Sequence, residues 1–434
     1  MLTRILHNSP QVCNFFDIVA FEHLSCPERT PFSMPQRQHI TDTIDGLVVC
    51  PQKKTLSALQ RQFVETTDVS NWADCFRISP WTATDLRARL GMLLVHWAVA
   101  TTGRQEKPPL ILISIDDSIG EKDKATRHLE GVDWHYDHLA STKKKPRFKN
   151  GLAYVVCSVR IGQIEFTFDL RIYLRQTTVR RLNRHRRKDQ RIPFQSKMRI
   201  ARQMLLSLKT LLPKGWPVYV AFDSWYASAK LIKFVRRQGW HVLCALKYNR
   251  KLDGIRLDTH ARTLRHQRYL PVTLTAADGN ETSYFVRSLE GRLEDVPFDI
   301  CVWVSKRHPR EKSPAYFLYT DLELKAQQGF QQYQQRWSCE VANWYLHTRL
   351  GIADFRLQAF HAVDKWVAVV HCSWAYLQWR LTRQSSPQLR TAADVMMRIH
   401  QDEHTRQWLI GACQLALQEG RIKPVLQRFL REEA

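Results

Sequence analysis

The chain has 434 residues, 44% of them hydrophobic, and carries 65 Lys and Arg against 41 Asp and Glu, a formal net charge of +24. That length suits about three ordinary domains with real cores, and the excess of positive charge calls for a polyanionic partner, of which nucleic acid is the commonest. Ten cysteines stand singly, with no CxxC pair or Cys/His zinc spacing, which argues against a disulfide framework and against a zinc module. Glycines are sparse, at 16. With no Gly-x4-Gly-Lys-Ser/Thr loop, no Gly-x-Gly-x-x-Gly turn and no Gly-x-Ser-x-Gly elbow, no nucleotide cofactor and no serine hydrolase is expected. Met1-Leu-Thr-Arg-Ile-Leu-His7 lacks the apolar core of a signal peptide, and the apolar stretches near 92–100 and 366–377 are too short for a bilayer. The expectation is a cytoplasmic protein with no membrane partner.

Residues 1–107 read as helical. Thr55 suits a helix cap, and Leu86, Leu90, Leu93, Leu94 and Trp97 recur at helical spacing as a core-facing stripe. Pro108-Pro109 then breaks the pattern and marks a boundary. Leu110–Ile115 is a continuous apolar run suited to a central strand, and Leu152–Val159 is a second. From Ile164 to Leu174 apolar and polar residues alternate, the period of a half-buried strand, with a turn around Gly162 joining it to its predecessor. A helix near 196–212, a strand Val218–Phe222, a helix near 227–238 and a strand His241–Leu246 follow. This order of three strands, then alternating helix and strand, is that of an RNase H-like fold. Between Lys247 and Lys325 the pattern turns strand-rich, with Tyr269–Leu274, Thr282–Leu289, Asp299–Ser305 and Ala315–Tyr319 separated by turns such as Asp278-Gly279. From Ala326 helices resume, and Lys423-Pro424 separates the last two.

Three acids stand out. Asp116 follows Leu110–Ile115, Asp223 follows Val218–Phe222, and Glu340 lies in a helical pattern. Carboxylates at strand exits are held rigidly, and three of them converging repel one another unless a cation compensates. Hard oxygen ligands select Mg2+ or Mn2+. Asp117 competes with Asp116, because successive strand residues point to opposite faces and only one can join the cluster. The Asp-x-Ser spacing favours Asp116, leaving Asp117 as a turn or cap residue. On a helix around 331–350, Tyr333, Arg336, Glu340, Trp344 and His347 fall within a narrow arc, a face able to hold metal and phosphate together. The plainer reading of that helix is an ordinary i,i+4 Arg336–Glu340 pair.

Tyr333-Gln-Gln-Arg-Trp-Ser-Cys-Glu340 resembles the Tyr-x2-Arg-x3-Glu-x6-Lys signature of DDE-type cut-and-paste insertion-sequence transposases, which carry a β-rich insertion before the last acid. Asp116-Asp-Ser118, Phe222-Asp-Ser-Trp-Tyr226 and Leu350-Gly-Ile-Ala-Asp-Phe-Arg356 look like the same family, so that the likeness spans roughly 110–380. The resemblance implies catalytic, metal-holding Asp116, Asp223 and Glu340 with two divalent ions, and Tyr333 and Arg336 handling phosphate. The usual Lys position is His347, and a neutral imidazole does not replace an ammonium at pH 7. It further implies cleavage at terminal inverted repeats, a hairpin intermediate, strand transfer into target DNA and a homodimer on paired ends, at the nucleoid.

Basic runs fit a DNA partner: Lys143, Lys144 and Lys145 lie between the first two strands, and Arg184, Arg186 and Arg187 follow the third. A charge run by itself is usually a solvated loop. Trp303 could stack on an unpaired base, although strand tryptophans are more often core. His128, His135 and His138 have no common metal spacing and read as polar loop residues.

The expected organisation is therefore a helical DNA-binding region at 1–107, an RNase H-like core at 108–248, a β-rich insertion at 249–325, the second part of the core with the Glu340 helix at 326–381, and C-terminal helices at 382–434. The expected activity is DNA transposition by metal-assisted phosphoryl transfer. Two alternatives stand beside it: a decayed DNA-binding protein that no longer cuts, and a structure-selective nuclease of the same fold.

Overall fold

A computed structural model describes residues 15–19, 32–63, 67–103, 107–137, 140–142, 144–264, 267–275, 281–383 and 389–402. Lys143, His138, the Asp278-Gly279 turn and the Lys423-Pro424 boundary lie outside the described residues, as does most of the expected C-terminal helical region.

The strands are β1 (Ile111–Glu121), β2 (Asp133–Tyr136), β3 (Phe148–Ile161), β4 (Ile164–Tyr173), β5 (Val218–Phe222), β6 (His241–Leu246), the short pair β7 (Lys251–Leu252) and β8 (Ile255–Arg256), β9 (Leu270–Thr275), β10 (Glu281–Gly291), β11 (Ile300–Lys306) and β12 (Ala315–Tyr319). Within the main sheet β4-β3-β1-β5-β6 run side by side, the first three antiparallel and β1, β5 and β6 parallel. A tight turn suffices between β3 and β4, where Gly162 takes a left-handed φ of 58°. The parallel strands instead need helical crossovers. Helices Lys197–Lys209 and Ala229–Arg237 provide them, capped by the Ser196 and Ser228 hydroxyls, which accept from Arg199 and Leu231 backbone N–H groups. This is the RNase H-like order.

The insertion does not stand off as a separate β unit. Strand β12 pairs antiparallel with β6, and β11, β10 and β9 follow in turn, so the insertion extends the main sheet. A sheet edge at β6 would expose unpaired backbone groups, and β12 covers it.

Alternation along the strands sorts side chains onto two faces. One face joins the main core. The other carries Leu112 of β1, Tyr219 and Ala221 of β5, Leu243 of β6, and Trp303 and Tyr319 of the extension, covered by Phe330 of helix Ala326–Gln334. The N-terminal helices share the main core. Leu86, Leu90, Leu93 and Leu94 of helix Ala83–Thr102 are buried as the stripe requires, and a Cβ at Gly91 would lie 2.8 Å from the Phe168 ring of β4. Arg87 pairs at 2.9 Å with Asp364 of the buried helix Phe360–Arg383. The described helices before Pro108 thus pack directly on the sheet and on helix Phe360–Arg383.

Candidate active site

Asp116 does not end its strand. Residues Asp116 to Glu121 stay paired with β3, while the parallel pairing of β1 with β5 stops at Ile115↔Phe222. The next residue along each strand is Asp116 and Asp223. Two acids are therefore neighbours in register where β5 leaves the sheet and β1 continues. The turn after β5 is set by Asp223 itself, whose Oδ1 accepts from the Trp225 and Tyr226 backbone N–H groups at 2.9 and 3.2 Å.

Strand alternation separates Asp116 from Asp117. Asp116 shares the face of Leu112 and meets Arg336, with Arg336 Nη1 donating to its Oδ2 at 2.9 Å. Asp117 turns to the opposite face and pairs with Lys197, whose ammonium also lies over the Trp225 and Tyr173 rings. Asp117 is thus an ion-paired strand residue, not the turn or cap expected from the sequence.

The expected continuous helix at 331–350 is broken. Helix Ala326–Gln334 passes into a 3-10 turn, Gln335–Trp337, before helix Ser338–Thr348. The tighter winding of that turn places Arg336 at the junction. From there its second nitrogen, Nη2, lies 3.5 Å from Glu340 Oε1, and its guanidinium lies 5.7 Å from the Tyr333 ring centre. Glu340 is the open member of the pair, with a side chain 41% exposed against 14% for Asp116.

Burial pushes the Asp116 carboxyl well above the usual carboxylate range; Arg336 pulls it down, and Glu340 and Asp223 push it up again. Both other acids therefore act on Asp116, and the Arg336 guanidinium offsets them. Hard carboxylate oxygens with unbalanced negative charge are the donor chemistry that Mg2+ or Mn2+ requires, so the residues fit such an ion. As they stand, with Arg336 between Asp116 and Glu340, no three acidic, His or Cys side chains among the described residues are gathered closely enough to hold one.

His347 faces inward. Its Nε2 lies 2.9 Å from Ser118 Oγ and 3.0 Å from the Tyr154 hydroxyl, which itself donates to Asn343 Oδ1 at 3.0 Å. Ser118 and Tyr154 are register partners on β1 and β3, two residues beyond Asp116. Burial lowers the His347 pKa, which keeps the imidazole neutral. These contacts tie the Glu340 helix to the Asp116 strand.

Trp303 is 2% exposed, its ring centre 4.7 Å from that of Tyr319 and 5.2 Å from that of Phe330. It is core and has no open face for a base. The exposed aromatics beside the acids are Trp225, Trp337 and Trp344. Sequence reasoning missed Trp225 and Trp337, although they follow Asp223 by two residues and precede Glu340 by three. Lys144, Lys145, Arg184 and Arg187 are exposed, whereas Arg186 is tied to Glu130. His135 is buried in β2 rather than in a loop, which drives its pKa down to about 4.

Against this geometry, the family model described as "DDE superfamily endonuclease" matches residues 31–278, more than half of the chain and including Asp116 and Asp223. The chain belongs to the DDE superfamily of endonucleases. A second model, "Transposase DDE domain", matches residues 196–376 and takes in Asp223 and Glu340, so this is a transposase-type nuclease of the DDE superfamily. No curated protein matches this DDE endonuclease. Among its described residues no helix is long and apolar enough to cross a membrane.

Proposed function

We propose that this DDE endonuclease is the transposase of an insertion sequence, which binds the element's terminal inverted repeats, cuts DNA there and joins the freed end to target DNA. The observation that carries the reading is the register of β1 and β5, which makes Asp116 and Asp223 neighbours on the face to which Arg336 draws Glu340. In this reading Asp116, Asp223 and Glu340 hold Mg2+ or Mn2+, as two ions. When bound, the metal polarises the phosphodiester and steadies the negative charge that builds on its oxygens.

The chain's own groups do the rest. Arg336 and Tyr333 meet a backbone phosphate beside the acids. Exposed Trp225, Trp337 and Trp344 offer faces for bases unpaired near the cut. Lys144, Lys145, Arg184 and Arg187 follow the DNA backbone on either side. The protein acts on cytoplasmic, nucleoid DNA as a homodimer bringing two ends together. The hairpin step rests on the signature's last position, where His347 is already engaged by Ser118 and Tyr154.

The test is cleavage of a labelled duplex carrying the DNA that flanks the gene, with Mg2+ or Mn2+ against EDTA, for wild type, Asp223→Asn and Glu340→Gln. Metal-dependent cuts at the element boundary, lost in both variants, are expected, with a fall of at least about 10^2-fold for a charge-stabilising group. Cuts that never yield joined products would indicate a nuclease without strand transfer. Tight binding without cutting in either metal would identify the decayed, binding-only protein, the reading that the internal engagement of His347 favours.

A further inference from the structure

We propose that Arg336 is a displaceable counter-ion, which keeps Asp116 and Glu340 from a divalent metal until a DNA phosphate takes the guanidinium away. The inference rests on the metal-dependent reading above and adds an order of assembly to it.

One guanidinium fork spans two of the three acids, 2.9 Å from Asp116 and 3.5 Å from Glu340. A divalent ion on the same two carboxylates would be placed against a fixed positive charge, with little water between them to screen it. The guanidinium and the ion therefore compete for the same oxygens. Arg336 is also incompletely satisfied where it lies, because its buried Nε has no hydrogen-bond partner among the described residues. A phosphate offers the fork two oxygens in matching geometry and leaves the acids free. Glu340, the more exposed acid, sits on the open side from which a phosphate would arrive. The 3-10 turn that carries Arg336, with no buried residue of its own, is a joint at which the side chain can swing without dislodging either flanking helix.

Competition of this kind has a thermodynamic signature. If DNA removes Arg336 from the acids, DNA tightens metal binding, and metal tightens DNA binding by the same factor. Substituting Arg336 should mimic DNA on the metal side only.

The experiment is a Mn2+ titration of the full chain, followed by the electron paramagnetic resonance of free Mn2+, with and without a short duplex oligonucleotide at low salt. Wild type, Arg336→Gln, Arg336→Lys and Asp116→Asn are compared after circular dichroism has established that each is folded. Without DNA, Arg336→Gln should bind Mn2+ about tenfold more tightly than wild type, with Arg336→Lys in between, a coupling of ordinary size between linked sites. With DNA, wild type should gain about the same factor, and Arg336→Gln almost nothing. Equal or weaker Mn2+ binding by Arg336→Gln, or wild-type affinity indifferent to DNA, would overturn the proposal while leaving the metal site standing. Binding no better than that of Asp116→Asn in every variant would overturn the metal-dependent reading itself, and the proposal with it.

Discussion

Asp116 and Asp117 are indistinguishable by composition, and what separates them is one step of the pleat. Asp116 falls on the Arg336 face and Asp117 on the Lys197 face, because β1 runs on past both. The same one-residue logic places Trp303 in the core, and there it leaves no room. A Cβ built at Gly329 collides with the Trp303 ring and comes within 2.9 Å of the Tyr319 ring. Gly329→Ala is therefore expected to lower stability by about 1–3 kcal/mol, even though alanine is the better helix former. Chemical denaturation of the two proteins measures it. A neutral or stabilising outcome would mean that helix Ala326–Gln334 can lift off the sheet without cost.

Helix Ser338–Thr348 delivers Glu340, and its placement depends on the far end. His347, Ser118, Tyr154 and Asn343 form one polar chain, half-buried at Ser118 and His347 and buried at Tyr154 and Asn343, between that helix and two strands. Removing the imidazole deletes its hydrogen bonds to the Ser118 and Tyr154 hydroxyls, so His347→Ala should cost about 1–3 kcal/mol, at about 0.5–1.5 kcal/mol for each lost bond. His347→Gln, whose amide reaches a similar position, should retain much of that stability, and a thermal melt of both variants decides between them. If alanine melts with wild type, the network does not fasten the helix. The broken helix itself was not legible in Tyr333 to Glu340, because an i,i+3 and i,i+4 spacing looks the same whether or not one turn tightens to 3-10. Phe330 packs into the core before the break, and the Cys339 thiol donates to the Ser114 carbonyl after it.

At the scale of the molecule, burial of histidine sets an acid limit. His39, His135, His241, His347 and His371 all have their pKa lowered by burial, His135 to about 4. Between about 4 and the ordinary value near 6.5 the unfolded chain binds the extra protons, so stability present above pH 6.5 is lost as pH falls through that window. Melting temperature against pH should show the decline, and His135→Gln should flatten it. A flat profile from pH 7 to 5 would show that these rings are wetter than their burial implies. The net charge of +24 governs binding in the same global way. With about six to ten phosphates neutralised, nonspecific DNA affinity should drop by about 10^3 to 10^5 between about 50 and 200 mM salt. Lys144→Ala combined with Arg187→Ala should reduce the salt slope by about two, and an unchanged slope would remove these side chains from the DNA path. The alternation of Ile164 to Leu174, the apolar runs at Leu110–Ile115 and Val218–Phe222, and the spacing Tyr333, Arg336, Glu340 by themselves determined the order of core strands and helices along the chain and singled out the three acids as candidates, because periodicity and strand exits are local properties of a chain. Tertiary structure alone decided that β12 joins β6, that the helices before Pro108 share the core, that Arg336 reaches Asp116 as well as its i,i+4 partner Glu340, and that His347 turns inward. Each of these depends on which surfaces meet between segments far apart along the chain, and no local pattern encodes that.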